Sequence, residues 1–136
     1  MPKHFDTQRS LSSISRSWPR PGEFIFYMEE DYVWLHKIRL PQNQRNGEGT
    51  KRMAQILSIT DKASLNVCLV ADPIPLDEHL SIISNPNTFH LVRWYMRFGF
   101  IPHGPTEDGF VMERPFHKGY SSSDILKTYV INRQND

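Results

Sequence analysis

The order of apolar runs between Tyr32 and Ala71 constrains the fold more than any other feature of this chain. YVWLHKIRL has the composition of a strand, PQNQRNGEG is rich in turn formers, and LNVCLVA is a Val- and Leu-rich run suited to a buried strand. Between them, Met53, Ile56, Leu57 and Thr60 recur at i, i+3, i+4 and i+7, which places one apolar face on a helix from about Thr50 to Lys62. Strand, glycine turn, helix and strand make a crossover unit, so at least two strands run parallel in an α/β arrangement. Pro41 ends the first of these strands because it has no N–H for the ladder.

The flanking segments extend the same sheet. EFIFYM, the acidic triplet Glu29 to Asp31 and YVWLHKIRL predict an antiparallel hairpin. A second helix is expected from Asn87, capped by Asn87 or Thr88, with Leu91, Trp94, Tyr95 and Phe98 on one stripe and Gly99 at its end. FIPHG and GFVMERP read as a closing strand pair. DPIPLDEHLSIISNPN reads as a loop with one or two helical turns, and SSSDILKTYVIN fits either a capped helix or a last strand. The polar opening, residues 1–23, has no sustained period and is expected to be an irregular arm on a single domain spanning residues 1–136.

Composition excludes several functions. The one cysteine, Cys68, rules out an internal disulfide and a cysteine-rich metal cluster, which suits a reducing, cytoplasmic setting. The histidines have no metal-ligand spacing, so no metal is expected. No apolar stretch is long enough to span a bilayer, and a net charge of +1 gives no general case for nucleic acid. The charge is nevertheless uneven: Lys37, Arg39, Arg45, Lys51 and Arg52 surround the glycine turn, against Glu48.

That turn matches neither of two familiar phosphate motifs. Gly47 and Gly49 are followed by Arg52 where a dinucleotide fingerprint needs its third glycine, and Gly49-Thr50-Lys51 reverses the hydroxyl and lysine of a P-loop. Glycines still permit a tight turn and close ligand approach, and the first N–H groups of the next helix lack intrahelical partners. Two readings stay open: an ordinary loop with Thr50 or Asn46 capping the helix, or an anion site favoured by the helix dipole.

Gln44-Arg45-Asn46-Gly47-Glu48-Gly49 resembles the [Q/R]xxGx[G/A] signature of the GNAT superfamily of N-acetyltransferases. YMRFGF, from Tyr95 to Phe100, is similar to that family's YxxxGF segment. The resemblance implies a mixed, mostly antiparallel sheet with flanking helices and a splayed central strand pair, with the family's N-terminal region shortened here. It also implies acetyl coenzyme A as cofactor and an amine-bearing acceptor. The strand segment Ile38, Arg39 and Leu40 would hold the pantetheine arm, with a backbone N–H near Leu40 as oxyanion donor. Gln44, Arg45, Asn46, Gly47, Glu48, Gly49, Thr50 and Lys51 would form the pyrophosphate turn, and Tyr95 would protonate the departing thiolate. His36 is the candidate base on its intrinsic pKa, strand parity placing it on the same side as Ile38 and Leu40. A second copy or another protein could complete the shortened acceptor side. The alternative is a noncatalytic structural or interaction module that retains the fold.

Overall fold

A computed structural model describes residues 4–39, 47–71, 86–107 and 109–134. Its elements are α1 (Phe5–Arg16), β1 (Glu23–Met28), β2 (Tyr32–Arg39), α2 (Glu48–Lys62), β3 (Asn66–Ala71), α3 (Pro86–Met96), β4 (Ile101–Pro105), β5 (Phe110–Arg114) and α4 (Ser122–Gln134). The strands form one sheet in the order β1-β2-β3-β5-β4. All neighbours are antiparallel except β2 and β3, which run parallel across the α2 crossover. The fold is therefore mixed α/β and compatible with the GNAT-like arrangement expected from the sequence. Among the described residues, no helix is long and apolar enough to cross a membrane.

Strand register places the large apolar residues on one face. Phe24, Val33, Leu35, Val67, Leu69, Ala71 and Met112 are buried there, under Leu11 of α1, Met53, Ile56 and Leu57 of α2, Val92 and Tyr95 of α3, and Ile125 and Tyr129 of α4. The β1-β2 turn follows the acidic triplet, with the Glu29 N–H donating to the Tyr32 carbonyl at 3.0 Å. Pro86 is the first residue of α3, so Asn87 and Thr88 lie inside the helix rather than capping it, and proline suits a first turn whose N–H groups are unpaired anyway. Gly99 closes that segment with φ at +96°, a conformation open to glycine. The stretch 72–85, expected to be a loop with helical turns, lies outside the described residues.

The irregular arm expected over residues 1–23 is corrected by α1. Its buried stripe has few large anchors, chiefly Leu11 and the partly buried Ile14. The serines around them favour caps and turns over helix interiors, so local pattern gave no period. Packing supplies what propensity does not: Leu11 is fully buried, and the Ser15 hydroxyl donates to the Phe24 carbonyl at 2.8 Å.

One buried ion pair joins three elements. Arg114 of β5 grips Asp61 in the last turn of α2 through two bonds, Nη1 to Oδ1 at 2.7 Å and Nη2 to Oδ2 at 2.9 Å. Its Nε–H donates to the Phe98 carbonyl at 2.7 Å, just beyond α3, and the His117 N–H donates to Asp61 Oδ1 at 2.9 Å. A carboxylate at a helix C-terminus opposes the dipole, so Asp61 depends on these donors. Replacing Asp61 with alanine should cost about 3–5 kcal/mol because it leaves a buried guanidinium unpaired. Pairing it with Arg114→Met should lose much less than the sum of the two single changes, as measured by denaturant midpoints.

SSSDILKTYVIN forms helix α4, and its first residues show why. The Asp124 carboxylate accepts from the Ser121 N–H at 3.0 Å and from the Ser121 hydroxyl at 2.9 Å, while the Asp124 N–H donates back to that hydroxyl oxygen at 3.2 Å. This reciprocal cap satisfies donors that would otherwise be orphaned. The backbone N–H of Ser121, then its hydroxyl, hold the Asp124 carboxyl below its ordinary range, with Lys127 helping. A depressed folded pKa contributes stability above the unfolded pKa that disappears as pH falls through the folded value. Ser121→Ala removes the hydroxyl's share and keeps the backbone N–H, so it should partly flatten the acid limb of a stability-against-pH profile and leave its neutral-to-alkaline shape unchanged.

Candidate functional site

The parallel ladder between β2 and β3 pairs Tyr32 with Asn66, Val33 with Val67, Trp34 with Cys68 and Leu35 with Leu69, and then stops. Beyond it, β2 continues from His36 to Arg39 against β1 alone, and β3 continues through Val70 and Ala71 against β5 alone. The splayed central pair is thus present. Its physical origin is a bulge: Ile25 pairs with Lys37 and Phe26 with Leu35, leaving His36 without an opposite residue. An extra residue bends and twists the strand that carries it, which turns β2 away from β3 at the point where their pairing ends.

The bulge also corrects the parity assigned to His36. Leu35 and Ile38 both lie on the core face, with Leu35 buried and Ile38 packed at the core edge, so the expected even spacing is broken between them. His36 is exposed on the opposite face, its ring 5.5 Å from that of Tyr27. It therefore does not share a side with Ile38.

After the divergence the chain enters α2 through Gly47, which is the N-cap with φ at +79° and ψ at 5°. This left-handed conformation favours glycine, and a Cβ there would meet no atom within 4 Å. The cap expected of Thr50 is corrected: Thr50 lies in the first turn, and glycine offers no side-chain acceptor. The Lys51 N–H donates to the Gly47 carbonyl at 3.0 Å, so the N–H groups of Glu48, Gly49 and Thr50 precede the first i to i−4 bond. Leu40, Gln44, Arg45 and Asn46 lie outside the described residues.

Charges at this helix start are partly compensated. Glu48 Oε1 and Arg52 Nε form an i, i+4 ion pair at 2.8 Å, with the Nε–H angled off the carboxylate oxygen. The Arg52 guanidinium lies over the Trp18 ring at 5.2 Å, and the Trp18 indole N–H donates to the Arg39 carbonyl at 2.7 Å. Lys51 and the side chain of Arg39 are exposed. Sequence reasoning did not select Trp18 for this site; its position in a polar stretch carried no signal for a contact with residues this distant along the chain.

Tyr95 sits elsewhere in the core. It is 7% exposed, with Trp94 and Phe100 packed edge-on against its ring at 5.1 and 5.4 Å. Burial pushes its phenol far above the ordinary range, so it remains a proton holder at any neutral pH. The described contacts do not join Tyr95 to His36, Ile38 or Arg39.

On the face of the sheet opposite the core, the Cys68 thiol faces Glu113, Sγ to Oε2 at 3.8 Å, and Glu113 Oε1 lies 3.8 Å from His103 Nε2. This order puts the carboxylate beside the thiol, which suppresses a thiolate. Among the described residues, no group of histidine, cysteine, aspartate and glutamate could hold a metal ion.

No family model and no curated protein matches the chain. Among solved structures, the chain is similar to the crystal structure of the anti-CRISPR protein AcrVA5, with a TM-score of 0.47 and 21% sequence identity over 68% of this chain and 87% of that one.

Burial first, and then the neighbouring Glu113 carboxylate, push the Cys68 thiol up to about 11. A shift of this size from an ordinary thiol leaves roughly a hundredfold less thiolate at pH 8. Iodoacetamide should therefore label Cys68 slowly at neutral pH and progressively faster on the alkaline side, and Glu113→Gln should raise the neutral-pH labelling rate.

Proposed function

We propose that the chain is an acetyl coenzyme A-dependent N-acetyltransferase that moves an acetyl group to a primary amine of a small molecule, peptide or protein. One observation carries this reading: the unpaired end of β2 and the glycine-led start of α2 meet on a single indole, that of Trp18. A strand end that no longer pairs with β3, beside a helix start led by glycine, suits an extended amide-bearing arm that ends in a diphosphate. One local feature fits such a ligand: a Cβ at Gly47 would meet no described atom within 4 Å.

Acetyl coenzyme A, when bound, supplies an acetyl group activated as a thioester. The N–H groups of Glu48, Gly49 and Thr50 would hold phosphate oxygens, with Arg52 and Lys51 adding positive charge. Glu48 opposes that charge, and its contact with Arg52 reduces the conflict. Main-chain groups of Ile38 and Arg39 border the divergence and would position the arm, although the Arg39 carbonyl already accepts from Trp18. The resemblance assigns Tyr95 the proton for the departing thiolate; its phenol is held protonated by burial, packed against Trp94 and Phe100, and no described contact links it to the strand divergence. His36, exposed on the opposite face, would act only through bulk water.

The aromatic packing around Tyr95 favours a second reading, a noncatalytic module with the same fold. Binding and turnover separate the two readings. Calorimetry should show coenzyme A binding to the wild type, and a broad amine panel should yield acetylated product; binding with no product would support the noncatalytic module. Absence of binding would remove the acetyltransferase reading.

The two glycines give a paired test. Gly49 lies within α2, where alanine is the better helix former by up to about 1 kcal/mol, so Gly49→Ala should preserve or raise Tm. The signature matched by this turn admits alanine at the same place, so Gly49→Ala should also keep coenzyme A affinity within about threefold of the wild type. Gly47→Ala should lower both quantities, because its left-handed backbone disfavours a side chain. Wild-type affinity in Gly47→Ala would contradict the assigned phosphate turn.

A further inference from the structure

We propose that Trp18 is a positioning residue of the phosphate site, one that fixes Arg52 beside the first turn of α2; this inference rests on the acetyl coenzyme A reading above. Trp18 follows α1, and its side chain is 6% exposed. Its ring packs at 5.2 Å on Phe24 of β1, while its N–H reaches the last residue of β2. Its face carries the Arg52 guanidinium at 5.2 Å, one turn into α2. One indole therefore connects both strands of the hairpin with the helix start.

A packing role accounts for the ring but not for the direction of its N–H. Phe24, against which it packs, itself stacks on Phe26 at 5.4 Å, and a phenyl ring at position 18 would extend that apolar contact equally well. The indole differs by donating to Arg39, which locks the orientation of the ring plane over which Arg52 lies. Arg52 is held between this plane and Glu48, whose Oε1 lies 2.8 Å from its Nε, with its side chain 19% exposed. A cation held in this way has little rotamer freedom left to lose when an anion arrives, so the site is preorganised for phosphate.

The test measures coenzyme A binding by calorimetry and Tm in parallel for wild type, Trp18→Phe, Arg52→Gln and the double variant. Trp18→Phe retains a packed ring and should bind coenzyme A about three- to tenfold more weakly, while Arg52→Gln should lose about tenfold. If Trp18 acts through Arg52, the double variant should bind no more weakly than Arg52→Gln alone. Inorganic pyrophosphate should compete with coenzyme A on the wild type and less effectively on both single variants.

A second measurement uses native Trp18. The chain has three tryptophans, so Trp34→Phe/Trp94→Phe leaves Trp18 as the sole emitter. Coenzyme A should shift that emission saturably, with a midpoint equal to the calorimetric Kd. Unchanged affinity in Trp18→Phe with lowered Tm, or unchanged Trp18 emission at saturation, would overturn the positioning role while the acetyl coenzyme A reading stands. Failure of the wild type to bind coenzyme A would overturn both.

Discussion

The Asp61–Arg114 pair sets the relation between the sheet and the helices over it. Arg114 enters the core from β5 opposite Val67, where an apolar side chain would be the ordinary choice, and places three donors on Asp61 and the Phe98 carbonyl. Desolvating both charges is costly, and the fork geometry offsets that cost only if α2, β5 and the end of α3 are in register together. The pair thus acts on arrangement as well as on energy. A slip of α2 along its axis would leave both charges buried without partners. Such a slip would also move the opposite end of the same helix, where Gly47, Glu48 and Gly49 begin it.

The bulge at His36 controls the other half of the geometry. β2 is bound to β1 along its whole length, but to β3 only as far as Leu35. A strand that left both neighbours would expose its main chain to water without a scaffold; one that kept both would have no free groups to offer. By bending between two residues that both pair with β1, β2 stays rigid while one of its edges becomes available. The helix start and the open strand edge are therefore held by separate devices, the buried ion pair and the bulge, and Trp18 links them.

Local periodicity made the strands, α2 and the parallel crossover legible, because each carries many apolar residues at its own repeat. α1 was not legible in this way: Leu11 and Ile14 are too few among serines to define a stripe, and the helix exists through contacts with Phe24 and α2. His36 failed for a different reason. Parity counts residues, and a bulge adds one without a sequence signature, so a correct strand assignment still gave the wrong face. The glycine turn was legible in type, since Gly47 does adopt a left-handed conformation, but its cap was not, since a hydroxyl at Thr50 is only a candidate until the helix start is fixed. Asp61, Arg114 and Trp18 act through partners far along the chain, and no short-range pattern encodes those contacts.

The sheet edges bear on how a second chain could approach. β4 forms one edge and carries Pro102 and Pro105, which have no N–H to donate, with a further register break between Pro102 and Gly104. At the other edge, the Phe24 carbonyl of β1 is taken by Ser15 of α1. Both edges are thereby weakened as templates for strand addition, by missing donors on one side and an occupied acceptor on the other. α1 therefore has two consequences beyond its own helix: it occupies an acceptor on the β1 edge, and its C-terminal end delivers Trp18 to the start of α2. A segment that reads as a polar arm in sequence thus helps determine both where strands cannot be added and how Arg52 is held.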